Sequence, residues 1–245
     1  MGCYNDHSGR VCASVNIGPV QPPVTKTCLP AYNKEKMDLL QAKFDELEAD
    51  GILSRPEEVD VEVEYVSPSF LVNKPNGGYR FVTAFNGIAS YARPPPTKTS
   101  TVSDIMLFLA RCKYFIKTDM TSQFYQLPMK QSSLKYLWVI SPYKGTRVYT
   151  RAAMGMPGST EHPDTLMSRV LGHLIQQGGV MKIADDLYIG GDTIEEVYNN
   201  WSQVLQCFRD NNLRLSAPKT VICPIKATIL GCEWSAGSLS PSMHK

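Results

Sequence analysis

Two adjacent acidic residues, Asp185 and Asp186, lie within the otherwise apolar segment KIADDLYIGG at positions 182–191. Acidic side chains seldom have apolar neighbours on both sides. Two like charges about 4 Å apart repel each other by about 4 kcal/mol at an effective dielectric constant of roughly 20. Solvation in a β-turn, protonation of one carboxyl group or a cation held between the two would relieve this repulsion. The dipeptide alone favours the solvated turn, so the choice depends on the rest of the sequence.

A third carboxylate, Asp119, lies at the end of the mostly apolar segment KYFIKTDM, which is typical of a β-strand. Asp185 and Asp186 occupy a predicted tight turn between two further strands. If these strands are neighbours in one sheet, three carboxylates converge at its edge. Carboxylate oxygens are the ligands that Mg²⁺ prefers, and two such ions can hold the attacking and leaving oxygens of a phosphoryl transfer. The three aspartates therefore indicate a metal-dependent phosphoryl-transfer site.

Two long helices are predicted from hydrophobic periodicity. Apolar residues recur at helical spacing over positions 37–47, and Asn33 can cap the start of this helix. Near the other end of the chain, Thr193 and Glu196 form a capping box before the second long helix. The expected buried face of that helix consists of Val197, Trp201, Val204, Leu205 and Phe208.

Two β-hairpins are predicted from alternation and turn residues. A Gly-Gly turn divides one alternating segment, with Lys74 before the turn and Arg80 after it. A second hairpin is centred on Lys144 and Gly145. From residue 101 onward the predicted order is α-β-α-β-β-α-β-β-α-β, which favours a mixed β-sheet with helices packed on one face. The fold class is therefore expected to be α+β.

The net charge of +2 conceals a block pattern. Residues 31–70 carry a net charge of −7, residues 71–155 a net charge of +10, and residues 156–245 a net charge of −2. A long basic block indicates a polyanionic partner, most often nucleic acid. The alternative is an ordinary solvated surface.

Targeting and redox signals are few. The first residues lack a secretory signal pattern, and no apolar run is long enough to predict a transmembrane helix. The seven cysteines include no CxxC motif. Their odd number and the absent signal pattern favour free thiols in a reducing, intracellular compartment, cytoplasmic or nuclear. Residues 1–32 are expected to form an extended N-terminal arm.

Several segments resemble, in this order and spacing, the reverse transcriptases of gypsy-like LTR retrotransposons: KTDMTSQFYQLPM, ADDLYIGG, NNLRLSAPKTVICP and ILGCEWSAGSLSP, with GGYRFVTAFN and RVYTRAAMGMPGS in the fingers and at their junction with the palm. The resemblance covers roughly residues 35–245. It implies a polymerase palm, built on a ferredoxin-like mixed β-sheet with helices on one face, and a fingers subdomain of β-hairpins and helices. The implied activity is RNA-directed DNA polymerisation, in which a nucleotide is transferred to a primer 3′-OH with two Mg²⁺ ions, or Mn²⁺ in their place. The implied partners are an RNA or DNA template with its primer and deoxynucleoside triphosphates, and no membrane.

The resemblance also implies roles at the catalytic centre. Asp119, Asp185 and Asp186 match the family's catalytic and metal-binding carboxylates. Lys219 matches the lysine thought to protonate the leaving pyrophosphate. Leu230 and Gly231 match the strand that supports the primer end.

Further matches concern the incoming nucleotide. Lys74 and Arg80 match fingers residues that hold its triphosphate. Phe124 matches the aromatic residue beneath its sugar, which leaves no room for a 2′-hydroxyl group, whereas Gln126 receives no role. Met154, Gly155 and Met156 match the segment that lines the nucleotide and template pocket. Without the resemblance, Phe124 would be interpreted as core, Arg80 as a hairpin residue and Lys219 as a solvated lysine.

The expected organisation interleaves the two subdomains along the chain. The fingers comprise residues 33–100 and 129–155, and the palm comprises residues 101–128 and 156–245. A thumb and an RNase H are expected to be absent, together with the integrase part of a polyprotein. One departure from the family is Ile183, which replaces the usual Tyr or Phe and affects primer positioning.

Two other function classes remain open on the sequence. The first is a catalytically inactive retroelement remnant that only binds nucleic acid, which the missing thumb favours and the three aspartates disfavour. The second is a palm-fold nucleotide cyclase, which would have no use for a basic fingers block. Metal-dependent primer extension separates the polymerase from the remnant.

Overall fold

The computed structural model describes residues 12–24, 28–75, 77–93, 100–158, 161–183 and 186–241. Within these ranges the helices are α1 Lys34–Ala49, α2 Pro56–Val59, α3 Asn86–Ala89, α4 Val102–Arg111, α5 Glu161–Gln176 and α6 Ile194–Asp210. No described helix combines the length and apolar character that a membrane crossing requires.

The strands confirm both predicted hairpins and the strand that ends at Asp119. They are β1 Leu53–Ser54, β2 Val66–Ser67, β3 Ser69–Asn73, β4 Tyr79–Thr83, β5 Tyr114–Asp119, β6 Trp138–Ser141, β7 Gly145–Tyr149, β8 Val180–Ile183, β9 Asp186–Gly191, β10 Val221–Ile222, β11 Ala227–Ile229, β12 Cys232–Ser235 and β13 Ser238–Pro241.

The chain divides into two compact units, each made of two segments. The first unit consists of Met1–Pro96 and Phe124–Pro163, and the second of Thr97–Gln123 and Asp164–Lys245. The chain passes from the first unit to the second after Pro96, returns to the first at Phe124 and enters the second again at Asp164.

In the first unit, a four-stranded sheet of order β1-β7-β6-β2 lies beside the separate β3–β4 hairpin. Helix α1 begins as predicted, because the Asn33 side chain accepts a hydrogen bond from the Lys36 backbone N–H at 3.0 Å. Its buried face includes Phe44, whose ring meets that of Phe81 edge-on at 5.2 Å. This contact packs one face of the hairpin against the helix.

In the second unit, four strands form a sheet of order β10-β5-β9-β8, in which every adjacent pair is antiparallel. This is the ferredoxin-like arrangement. The α+β fold class is confirmed, but this sheet is antiparallel where a mixed sheet was expected. The reason is that β9 lies between β8 and β5, the two strands that run in the same direction. The one parallel pair among the described strands, β2 with β6, belongs to the first unit.

Helices lie on both faces of this sheet, whereas the prediction placed them on one. A Cβ atom added at Gly190 would lie 2.3 Å from Cys112 Sγ at the end of α4, and one added at Gly191 would lie 2.9 Å from Glu196 of α6. Because successive strand residues point to opposite faces, α4 and α6 cover opposite faces. The order of elements does not determine which face α4 covers. Connection rules fix the face of a helix that joins two strands of one sheet, whereas α4 precedes the first strand of this sheet.

A three-stranded sheet, β11-β12-β13, packs against α4 on the face that carries Phe115 and Tyr188. Trp234 joins these layers, because its indole N–H donates to the Leu109 carbonyl at 3.0 Å and its ring meets Phe115 edge-on at 4.6 Å. Burial beside this cluster raises the pKa of the Cys112 thiol to about 11, so this cysteine is a packing residue.

Helix α6 departs from its prediction in two respects. Thr193 caps the helix as expected, because its hydroxyl oxygen accepts a hydrogen bond from the Glu196 backbone N–H at 3.1 Å. The Glu196 carboxylate, however, accepts from the backbone N–H of Asp192 at 2.8 Å and not from that of Thr193, so the capping box is incomplete. Leu205, which was predicted to be buried, is 42% exposed. The fully buried stripe is narrow, and Leu205 lies about 60° around the helix from its nearest member, Phe208. That stripe consists of Val197, Val204 and Phe208.

Candidate active site

Asp119 and Asp186 lie directly opposite each other at one end of the β5–β9 pair. Directly opposed residues project from the same face of a sheet, with Cβ atoms about 4.5–5.5 Å apart. The two carboxylates therefore share one surface of this sheet. Ile183 of β8 lies opposite Asp186 in turn, so the residue that replaces the family's aromatic side chain belongs to the same row.

Asp185 lies outside the described residues. Its predicted proximity to Asp119 therefore stays a prediction. Among the residues that the structure describes, no group of three or more His, Cys, Asp and Glu side chains is arranged to hold a metal ion. Asp119 and Asp186 are the two members of the predicted triad that can be placed.

Lys219 reaches the Asp119 carboxylate from a short 3₁₀ turn, Ala217–Lys219, that immediately precedes β10. The turn is fixed by the Ser216 N–H, which donates to the Asp119 carbonyl at 2.8 Å, and the Lys219 Nζ donates to Asp119 Oδ2. The Lys219 side chain is 67% exposed whereas that of Asp119 is 13% exposed. The structure thus brings together two residues that the family resemblance assigned to one catalytic centre.

Lys117 is a residue of this site that the sequence patterns did not identify. Its Nζ lies 2.7 Å from Asp186 Oδ2. Tyr188 contacts both members of this ion pair. Its ring centroid lies 5.6 Å from Lys117 Nζ, and its hydroxyl group donates a hydrogen bond to Asp186 Oδ2 at 3.4 Å. The alternation of side chains along a β-strand could have identified Lys117 from the sequence. Lys117 precedes Asp119 by two residues and therefore projects from the same face of the sheet.

The environment of Tyr188 keeps its phenol protonated. Burial raises the pKa of Tyr188, and the nearby Asp186 carboxylate raises it further. The hydroxyl group is therefore a hydrogen-bond donor to Asp186 at neutral pH.

The described site fits a divalent cation in its chemistry. Its donor atoms are carboxylate oxygens, which suit a hard cation. Each of the two opposed carboxylates is in contact with a lysine ammonium group, so cationic charge already balances both. A divalent metal ion would bring positive charge to the carboxylate oxygens that the two lysines now contact.

In the first unit, Arg80 lies on the outward face of the β3–β4 hairpin, and Lys74 lies at the start of the turn that joins the two strands. Arg80 lies opposite Val72, and Lys74 follows Val72 by two residues. The opposite face of the hairpin is the one that carries Phe81. Both basic side chains are exposed, and the Lys74 N–H donates to the Gly78 carbonyl at 3.0 Å across the turn. The hairpin thus exposes two cations, one in its turn and one in β4.

The remaining residues that the resemblance assigned to a nucleotide pocket also belong to the first unit. Phe124 is half-buried in the 3₁₀ turn Gln123–Gln126, so it is not a fully buried core residue. Met154 is 60% exposed, and Gly155 adopts a φ of +83°, a conformation that favours glycine. Met156, by contrast, is buried.

Leu230 and Gly231 form the two-residue turn between β11 and β12. Both have positive φ values, +50° and +79°, as the turn type common in tight hairpins requires. Leu230 is 52% exposed at the tip, whereas the strands behind it are anchored by the buried Ile229 and Trp234. A leucine in this conformation is unusual, because its side chain is strained there.

Part of the basic block is neutralised by acidic residues inside the first unit, so those side chains contribute less positive charge to a polyanionic partner. The pairs are Lys144–Asp45 and Arg147–Glu48 at 2.8 Å each, and Lys135–Glu64 at 3.4 Å. The hydrogen bond from Lys144 lowers the pKa of Asp45. Burial alone would raise the pKa of Glu48, but hydrogen bonds from Arg147 and Arg55 lower it. The acidic segment of residues 31–70, which adjoins the basic block in the sequence, could have predicted these ion pairs.

Sequence comparison places most of the chain within one family. Residues 73–234 match the profile of the family described as "Reverse transcriptase (RNA-dependent DNA polymerase)". The chain is 25% identical over 214 residues to the "Retrovirus-related Pol polyprotein from transposon opus" of Drosophila melanogaster, a match that covers 84% of this chain and 20% of that protein. It is 22% identical over 221 residues to the "Putative enzymatic polyprotein" of Cassava vein mosaic virus, covering 87% of this chain and 33% of that protein. The chain thus spans a third or less of these relatives.

Solved structures share the fold at low sequence identity. The foamy viral protease-reverse transcriptase in complex with dsDNA superposes with a TM-score of 0.76 at 19% identity, over 96% of this chain and 48% of that chain. The same viral protein in complex with an RNA/DNA hybrid gives a TM-score of 0.76 at 18% identity, over 96% and 30% of the two chains.

Proposed function

Because the chain belongs to the reverse transcriptase (RNA-dependent DNA polymerase) family, we propose that it forms the fingers and palm of an RNA-directed DNA polymerase. In this proposal it adds deoxynucleotides to a primer 3′-OH on an RNA or DNA template. The observation that carries the proposal is the register of β5 and β9, which sets Asp119 opposite Asp186 with Lys219 on Asp119. The gypsy-like assignment within the family stays a prediction.

Reverse transcriptases generally use divalent metal ions. In this chain Asp119, Asp185 and Asp186 would hold two Mg²⁺ ions, or Mn²⁺ in their place. When bound, such ions supply positive charge to the attacking and leaving oxygens of the phosphoryl transfer. The opposed carboxylates support this assignment, since both face one surface of the palm sheet.

Other side chains would orient the reactants and move protons. Lys219 Nζ would protonate the leaving pyrophosphate, and its exposed side chain leaves it room to turn from Asp119 towards a substrate. Leu230 and Gly231 would support the primer end from the tip of a rigid hairpin.

The first unit would hold the nucleotide. Lys74 and Arg80 would bind the triphosphate from their hairpin. The half-buried ring of Phe124 would exclude a 2′-hydroxyl group, and Met154 and Gly155 would line the pocket. The fingers would then comprise residues 33–100 and 129–155, and the palm the two segments 101–128 and 156–245.

Primer extension tests the proposal. The purified chain, alone and fused to a related thumb, is given a primed RNA template, deoxynucleotides and Mg²⁺ or Mn²⁺. Extension is expected from the parent and a loss of at least about 100-fold from Asp185→Asn or Asp119→Asn, because each removes a metal ligand. Template binding by these variants should be intact or tighter, since each variant has one negative charge fewer near a polyanion.

Asp192→Asn is the matched control, because this exposed aspartate follows the other end of β9. Extension by Asp185→Asn at the parental rate would disprove the catalytic assignment. Template binding without any extension, even in the thumb fusion, would identify the chain as a binding remnant.

A further inference from the structure

Two lysines contact the opposed carboxylates, but they are held differently. Lys219 approaches Asp119 from a loop turn with a mostly exposed side chain. Lys117 projects from the middle of β5, and only 35% of its side chain is exposed. The cation on Asp119 is therefore the more solvent-exposed of the two, and the cation on Asp186 lies closer to the surface of the sheet.

The surroundings of Lys117 keep its ammonium group in place. Its Nζ lies over the Tyr188 ring, 5.6 Å from the centroid, a position that attracts a cation. Tyr188 itself is fully buried and is packed within the core cluster of this unit. On the same face, Lys117 is a diagonal neighbour of Asp186 across the strand pair, since Lys117 opposes Tyr188 and Asp119 opposes Asp186.

Asp186 Oδ2 therefore has two partners from this chain, the Lys117 ammonium group and the Tyr188 hydroxyl group. A divalent cation that binds this oxygen must displace the ammonium group or share the oxygen with it. In either case the lysine charge repels the incoming cation.

We propose that Lys117 is a positioning residue that acts through Asp186: it holds the carboxylate in place when no metal ion is bound and weakens divalent-cation binding there. The inference rests on the proposed function, because it presumes that Asp186 is a metal ligand. Asp186 would then be the weaker cation ligand of the site until a substrate brings further negative charge.

Metal binding without nucleic acid or nucleotide tests this inference. Mn²⁺ affinity is measured by the EPR signal of the free ion for the full chain, for Lys117→Met and for Lys117→Arg. Lys117→Met keeps a long apolar stem but removes the charge, and it should bind Mn²⁺ roughly fivefold more tightly, the effect of a partly exposed ion pair. Lys117→Arg keeps the charge and should bind like the parent.

Lys113→Met is the matched control, since Lys113 is an exposed lysine just before the same strand and should leave the affinity unchanged. Thermal unfolding of each variant is measured in parallel. A lower melting temperature for Lys117→Met with unchanged Mn²⁺ affinity would mean that Lys117 is purely structural, and the inference would be wrong. Weaker template binding with unchanged Mn²⁺ affinity would make it a nucleic-acid contact instead and would also overturn the inference.

Asp119→Asn separates this inference from the proposed function. If Asp119→Asn weakens Mn²⁺ binding while Lys117→Met has no effect, only the role of Lys117 fails. If the parent binds no Mn²⁺, or if its binding is indifferent to Asp119→Asn, both the metal site and the role of Lys117 fail.

Discussion

Single side chains on one face of the β5–β9 pair carry the chemistry proposed for this chain. Asp119 and Asp186 are set by strand register, and each is in contact with a lysine from a different element. The arrangement offsets the like-charge repulsion that two opposed carboxylates would otherwise suffer. Charge balance at this face is therefore a property of four residues and not of the acidic pair alone.

Phe124→Ala should let the chain incorporate ribonucleotides. The proposed pocket selects by a clash between the ring and the 2′-hydroxyl group, so removing the ring removes the repulsive element. Incorporation of rNTP relative to dNTP should rise by at least about tenfold, measured as the ratio of kcat/KM values in primer extension.

Tyr143→Ala serves as the control for Phe124→Ala, because Tyr143 is an exposed aromatic residue of the same unit. Its dNTP preference should equal that of the parent. An unchanged preference in Phe124→Ala as well would return Phe124 to a packing role.

At the scale of elements, the three-stranded sheet contains two turns of the same kind. Leu230–Gly231 joins β11 to β12, and Ala236–Gly237 joins β12 to β13, with positive φ at all four residues. Leucine and alanine both pay a steric cost in this conformation, whereas asparagine tolerates it. Comparing the same substitution in the two turns therefore separates its effect on stability from its effect on primer binding.

Leu230→Asn should raise the free energy of unfolding by about 1 kcal/mol, because it relieves a strained left-handed conformation. If Leu230 supports the primer end, the same change should raise the primer KM several-fold. Both quantities are measured beside Ala236→Asn, which should gain a similar stability without any change in primer KM. Equal primer KM values for the two variants would show that Leu230 does not support the primer end.

At the scale of the whole chain, the acidic segment and the basic block act partly on each other. Helix α1 and its neighbours supply Asp45, Glu48 and Glu64 to lysines and an arginine of the block within the first unit. The charge available to a polyanion is therefore smaller than the net charge of residues 71–155. The exposed cations that remain include Lys74, Arg80, Arg93, Arg111, Lys113 and Lys130.

Template affinity should fall linearly with salt on a log–log plot, with little dependence on template sequence. A double change of Lys113 and Lys130 to Ala should make the slope shallower by roughly 0.9 for each duplex phosphate that these ammonium groups neutralise in the parent. The matched double change of Lys135 and Lys144 to Ala should leave the slope near the parental value, because both ammonium groups are paired within the protein. Equal slopes for all three proteins would mean that the basic block is a solvated surface.

Arg80→Ala is the companion measurement, because Arg80 is proposed to hold the incoming triphosphate. It should raise the dNTP KM more than it weakens template binding. A lower salt slope with an unchanged dNTP KM would instead make Arg80 a template contact.

The sequence by itself determined the elements, the family and most candidate residues. Helix caps such as Asn33, alternation around the Gly-Gly turn and the strand ending at Asp119 are local signals, and each was confirmed. The roles of Asp185 and Phe124 stay predictions. These properties are readable because backbone preferences and periodicity act over a few neighbouring residues.

Only the tertiary structure decided which residues meet. Lys219 and Asp119 are 100 positions apart and touch because β10 pairs with β5. Lys117 reaches Asp186 because of the β5–β9 register, and Leu205 stays exposed because the buried stripe of α6 is narrow. Strand order, register and the face that a helix covers depend on which distant segments pack together, and no local signal in the sequence specifies that choice.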